Sequence, residues 1–212
     1  MILVTGAGRC GSSLMMQTLE LLDVPLVAPV GNCNTLVWQS DSVEYQERWK
    51  EMNPKGIYEV PIDFLLEYIR NGWTPEEFHT GKAVKILSTL VSCIKPELIE
   101  KIIICSRKDR DRQAESMYDL AQLELEVSEI TGLDNPYTLS YRGKSLADMK
   151  EGQDATLDVI YHVVGKNNIP TIEVHYEDML EDPEKEIDCI ACFLETNVDI
   201  TNAVNNVNTR TN

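Results

Sequence analysis

Positive charge is scarce in this chain: 19 Lys and Arg stand against 35 Asp and Glu, for a net charge of −16 over 212 residues. No basic stripe is available to follow a phosphodiester backbone or an anionic bilayer, which argues against nucleic acid and membrane as partners. A small anion is still within reach, since a few backbone N–H groups and one or two cations can hold a phosphate on an acidic protein. Metal ligands are equally thin. The Cys189-x-x-Cys192 pair has no second Cys or His pair near it, and a zinc site needs about four ligands. The six cysteines therefore read as reduced thiols, with Cys189 and Cys192 expected in the core. No apolar stretch approaches the ~20 residues of a membrane span. Met1-Ile2-Leu3-Val4 runs straight into a glycine loop without a basic leader, so a cytoplasmic protein is expected. Internal repeats and low-complexity tracts are absent. One domain over residues 1–212 is expected, with 196–212, rich in Asn and Thr and without periodicity, as a flexible tail.

What is present is an alternation of short apolar runs and helical patterns. Residues 1–5, Lys82 to Leu87, Lys101 to Ser106 and Thr171 to His175 read as strands; Val24 to Val27 reads as a short strand or an extended connection. Helices are expected over Ser12 to Leu22, 42–52, Pro61 to Arg70, Asp109 to Ile130, 145–165 and Pro183 to Leu194. Glu124, Glu126 and Glu129 read as a solvated helix face. This alternation predicts an α/β fold with a central, mostly parallel sheet covered by helices on both faces, a three-layer sandwich.

The first strand leads through Gly6-Ala7-Gly8-Arg9-Cys10-Gly11-Ser12-Ser13 into a helix. A helix start of this kind offers free N–H groups and a positive dipole end to an anion. Two familiar frames overlap in the loop. Gly6-x-Gly8-x-x-Gly11 fits the dinucleotide fingerprint, which also wants an acidic residue closing the second strand. Asp23 comes too early for that, and the 24–29 segment carries no acid. Gly6-x-x-x-x-Gly11-Ser12-Ser13 fits a nucleotide-triphosphate loop, but Ser12 stands where Lys is required. An NAD(P)-dependent oxidoreductase and a kinase are thus both incomplete. A phosphate loop remains, with its cation, Arg9, inside it and two hydroxyls behind it.

Two later segments bear on the same chemistry. Arg107-Lys108-Asp109 leaves the strand Lys101 to Ser106 and enters a helix carrying Ser116. Tyr176-Glu177-Asp178-Met179-Leu180-Glu181-Asp182-Pro183 follows the last strand. Taken with the loop, these segments resemble the PAPS-dependent sulfotransferases, which use 3′-phosphoadenosine 5′-phosphosulfate (PAPS) as donor. The three motifs span residues 3 to 194 in the order found in that family. Cys10 replaces a residue that is usually Ser there.

The resemblance implies a P-loop NTPase-like fold and a set of roles. Gly8, Arg9, Cys10, Gly11, Ser12 and Ser13 would hold the 5′-phosphosulfate end. A basic residue with Ser116 would hold the 3′-phosphate, and Tyr176 would lie beside adenine. Family spacing selects Lys108 as that basic residue; bidentate phosphate chemistry selects Arg107. No metal is implied. The product would be 3′-phosphoadenosine 5′-phosphate (PAP), and the acceptor a small molecule or glycan offering a hydroxyl or amine. Its general base is not marked by any motif: His79, His162 and His175 match none, and Glu59 is the candidate. Lys85, on a strand, is a candidate for stabilising charge on the sulfuryl or leaving group, or else faces the surface. Arg210 could reach the nucleotide. A relative that keeps the fold without activity is the remaining alternative.

Overall fold

The computed structural model describes residues 1–27, 47, 81–86, 88–132 and 140–209. Glu59, His79 and Arg210 lie outside them, as do the elements expected between residues 42 and 70, apart from Glu47 in a helix.

Four strands, β1 (Ile2–Gly6), β2 (Ala83–Lys85), β3 (Lys101–Ser106) and β4 (Thr171–His175), form an all-parallel sheet in the order β2-β1-β3-β4. The described helices are α1 (Ser12–Leu21), α2 (Arg110–Thr131), α3 (Leu146–Asn167), α4 (Tyr176–Glu181), α5 (Pro183–Leu194) and α6 (Thr201–Asn208). The period of two along each strand sorts side chains into two cores. Ile2, Val4, Ala83, Ile103, Cys105 and Val174 face α1, α5 and α6 through Leu14, Leu19, Ile187, Ile190, Ala203 and Val207. Leu3, Val84, Ile102 and Ile104 face the opposite way, onto Ile160 and Val163 of α3. The chain is therefore an α/β protein with helices on both faces of a parallel sheet.

Local chemistry fixes the helix ends. The Asp109 carboxylate accepts from Arg112 N at 2.9 Å, and Ser145 with Asp148 forms a reciprocal capping box. Asp182 caps α5, with Pro183 in its first turn.

The structure corrects three expectations. Residues 201–208, read as aperiodic, form α6, because Ile200, Ala203, Val204 and Val207 make a narrow apolar stripe that packs beside α1; the intervening Asn residues hide it. Glu124 is buried rather than solvated, since it shares a face of α2 with buried Ala121 and Ser128. Cys189 and Cys192 are exposed, while Ile187, Ile190 and Ala191 supply the buried side of α5. Of the 24–27 segment, a single bridge joins Leu26 to Ala83.

Among the described residues no helix is long and apolar enough to cross a membrane, and no group of acidic, His and Cys side chains could hold a metal ion.

Candidate functional site

The strand order places β1 in the interior, with β2 on one side and β3 on the other. Chain direction across the sheet reverses there, and in open parallel sheets ligands bind beyond the carboxyl ends at such a point. Each of the four strands delivers a candidate residue to this edge: the Gly6–Ser13 loop from β1, Lys85 from β2, Arg107 after β3 and Tyr176 after β4.

The loop turns through left-handed backbone at Arg9 (φ 63°) and Gly11 (φ 90°). For Arg9, a non-glycine residue, that conformation costs about 1–2 kcal/mol and needs an anchor. Arg9 Nε donates to Ser116 Oγ at 3.0 Å. At Gly11 only glycine fits, because a Cβ there would lie 2.6 Å from Cδ2 of the Tyr176 ring. Gly11→Ala should therefore cost about 2–4 kcal/mol from the backbone and the clash together. For a chain of this size that lowers Tm by roughly 4–16 °C in a thermal melt; a variant melting with the parent would contradict this packing. Gly11 is also the N-cap of α1, which has neither a side-chain cap nor an acidic residue in its first turn. The positive dipole end of α1 at Ser12 and Ser13 thus has no carboxylate of its own in the first turn.

Cys10 is buried in the loop against Cys105 of β3. A hydrogen bond from the Cys105 thiol, one from Ser12 N–H and the charge of Lys85 together hold the Cys10 thiol below its ordinary pKa, against the opposing effect of burial. The pairing with Cys10 and burial push Cys105 up.

Three cations converge here. Lys85, 7% exposed, lies on the α1 side of the sheet and its Nζ donates to Ser13 Oγ at 3.2 Å; it does not face the surface. Arg107 stacks its guanidinium 4.4 Å from the centre of the Tyr176 ring. Its Nε is buried without a hydrogen-bond partner. Burial, and then the neighbouring charge of Arg107, lower the pKa of Arg9. Two guanidinium groups close enough to repel, one with an orphaned buried donor, make a cradle that fits an anion. Lys108 is engaged elsewhere: exposed, it pairs with Asp178, while its backbone N–H donates to Glu177 Oε2 at 2.9 Å. Tyr176 packs between Arg107 and Gly11.

Sequence reasoning missed the residues behind the loop. Gln113 Nε2 donates to the carbonyl oxygens of Ala7 (3.2 Å) and Gly8 (2.8 Å), and Gln153 Nε2 donates to Gly8 O at 3.0 Å. The usable signal was spacing. Gln113 and Ser116 stand three apart on α2, hence on one face, and Gln153 interrupts the apolar stripe of α3. His175 and Ser106 also went unpaired in the sequence reading; Ser106 Oγ and His175 Nδ1 share a hydrogen bond of 2.6 Å across β3 and β4.

No protein-family model matches the chain, and no curated protein matches it in sequence. Among solved structures it is similar to retinol dehydratase in complex with androsterone and the inactive cofactor PAP, with a TM-score of 0.51 and 16% identity. The match covers 99% of this chain and 64% of that one, so this chain spans under two thirds of its neighbour's length. The likeness is one of fold: an all-parallel sheet flanked by helices.

Proposed function

We propose that the chain is a PAPS-dependent sulfotransferase, acting on a hydroxyl or amine of a small-molecule or glycan acceptor. The observation that carries this reading is the convergence of Arg9, Lys85 and Arg107 on a glycine loop, with a buried Arg107 Nε left unpartnered. The structural neighbour, a protein seen with PAP, supports the same reading.

In this scheme the donor's 5′-phosphosulfate end lies on the N–H groups of the loop and on Ser12 and Ser13. Arg107 and Ser116 hold the 3′-phosphate, and Tyr176 flanks the nucleotide. The acceptor oxygen or nitrogen attacks sulfur, the bond from sulfur to the 5′-phosphate oxygen breaks, and the acceptor proton passes to a general base, Glu59 in this proposal. PAP leaves carrying the bonding electrons. Negative charge grows on the bridging oxygen, and Arg9 and Lys85 are the cations set to meet it. The five described cysteines are all free thiols, which suits a reducing compartment such as the cytoplasm.

A thermal-shift panel tests the reading. PAP at a hundredfold excess over its Kd should stabilise by about 2.7 kcal/mol, a rise of roughly 5–10 °C for a chain of this size. NAD should give no shift, and ATP with magnesium little. A shift with NAD and none with PAP would reverse the assignment.

A further inference from the structure

A phosphate loop works only if its peptide groups keep their N–H bonds turned toward the ligand. Peptide groups are planar and trans, so C=O and N–H point in opposite directions. Whatever grips the carbonyl oxygens of Ala7 and Gly8 from behind therefore aims the N–H groups of Gly8 and Arg9 forward. Two side-chain amides do this from two different helices. Gln113 on α2 is fully buried, and its NH2 group spans both carbonyl oxygens at 3.2 and 2.8 Å. Gln153 on α3 approaches Gly8 O at 3.0 Å and the backbone carbonyl of Gln113 at 3.4 Å.

The amide orientations are fixed by their other contacts. Gln113 Oε1 accepts from Arg110 Nη1 at 2.7 Å, and Arg110 Nη2 pairs with Asp154 at 2.6 Å. That chain locks Gln113 with its donors toward the loop and ties α2 to α3. For Gln153, reversing the amide would set its oxygen against the Gly8 carbonyl oxygen. The observed orientation instead leaves Gln153 Oε1 buried with no partner. A buried unsatisfied acceptor is a cost to folding, tolerated here to keep a second donor on Gly8.

We propose that Gln113 and Gln153 are positioning residues for the 5′-phosphate: they clamp the outer carbonyl oxygens of the loop so that its N–H groups are preset for an anion. The inference rests on the sulfotransferase reading of this loop. It deepens that reading by assigning recognition of the 5′ end to residues that never touch the ligand.

The test uses Gln113→Met and Gln153→Met, which keep length and bulk and remove the donors. Binding of PAP and of adenosine 3′-phosphate, which lacks the 5′-phosphate, is measured by calorimetry on the full chain. Loss of one or two bonds of ordinary net strength should weaken PAP about 10- to 30-fold in Gln113→Met. The same variant should change adenosine 3′-phosphate by less than about twofold, since that ligand lacks the group the loop is set to receive. A merely structural role would weaken both ligands alike, and that result overturns the proposal. Gln153→Met, on a separate helix, gives the same comparison where Gln113→Met does not fold. If the unsubstituted protein binds PAP and both variants bind it equally well, this inference alone fails. If the unsubstituted protein binds no PAP, the sulfotransferase reading fails, and this inference fails with it.

Discussion

Arg107→Ala is expected to yield a folded protein that has lost about 100-fold in PAP affinity, the ~3 kcal/mol typical of truncating one member of a desolvated charge pair. Stability should hardly move. The substitution removes a guanidinium that repels Arg9 and whose Nε has no partner. It also removes the stack on Tyr176, worth about 0.5–1 kcal/mol. These changes oppose each other, so the ligand-free Tm should stay within about 3 °C of the parent. Lys108→Ala in parallel should alter PAP affinity by less than about threefold, because an exposed pair such as Lys108 with Asp178 carries little energy. Isothermal titration with PAP and a thermal melt decide the matter. Matching losses of affinity in both variants, or loss of folded Arg107→Ala protein, would remove Arg107 from the 3′-phosphate site.

Lys85→Met separates chemistry from binding. Lys85 is buried on β2 and touches the first turn of α1 through Ser13, where the bond to the leaving phosphate oxygen would break. A cation placed where charge develops contributes mainly to the transition state, so turnover should fall about 100- to 1,000-fold. PAP affinity should change by less than about fivefold, since the ground-state product keeps its other partners. Methionine fills the same volume without a buried ammonium, so the melt should be unchanged or raised. Lys85→Arg should not restore the rate, because the planar fork needs space and angles that an ammonium does not. A variant that transfers sulfuryl groups at the parental rate, or loses PAP binding in step with turnover, would take Lys85 out of the chemistry. Sulfuryl transfer to a panel of phenol, sugar and amine acceptors supplies the rate.

The parts of the fold legible in the sequence are those carried by local rules. Lys101–Ser106 and Thr171–His175 form strands with the expected bounds, because a short apolar run in the first and an alternation of β-branched with polar residues in the second have few alternatives. Pro183–Leu194 likewise starts at its proline and ends where the helix reverses at Glu195, φ 61°. The loop and Arg107 were also legible, since glycine spacing and a cation leaving a strand are local marks. What escaped was long-range. Nothing near residue 113 in sequence says that its amide meets Gly8, and the pairing of Lys85 with Ser13 depends on β2 lying beside β1. What distinguishes the surroundings of Lys108 from those of Arg107 is also distant in sequence, since the Asp178 carboxylate that pairs with Lys108 lies seventy residues away. The buried Glu124 and exposed Cys189 show the same limit, because a helix face is assigned by its neighbours as well as by its own polarity.

α1 carries the loop on its first turn and packs beside α6, with Leu14 and Leu19 on the same core as Ala203 and Val207. α1 and α6 stand far apart in sequence yet share one apolar cluster, so this part of the core closes only through contacts of large sequence separation, which slows folding.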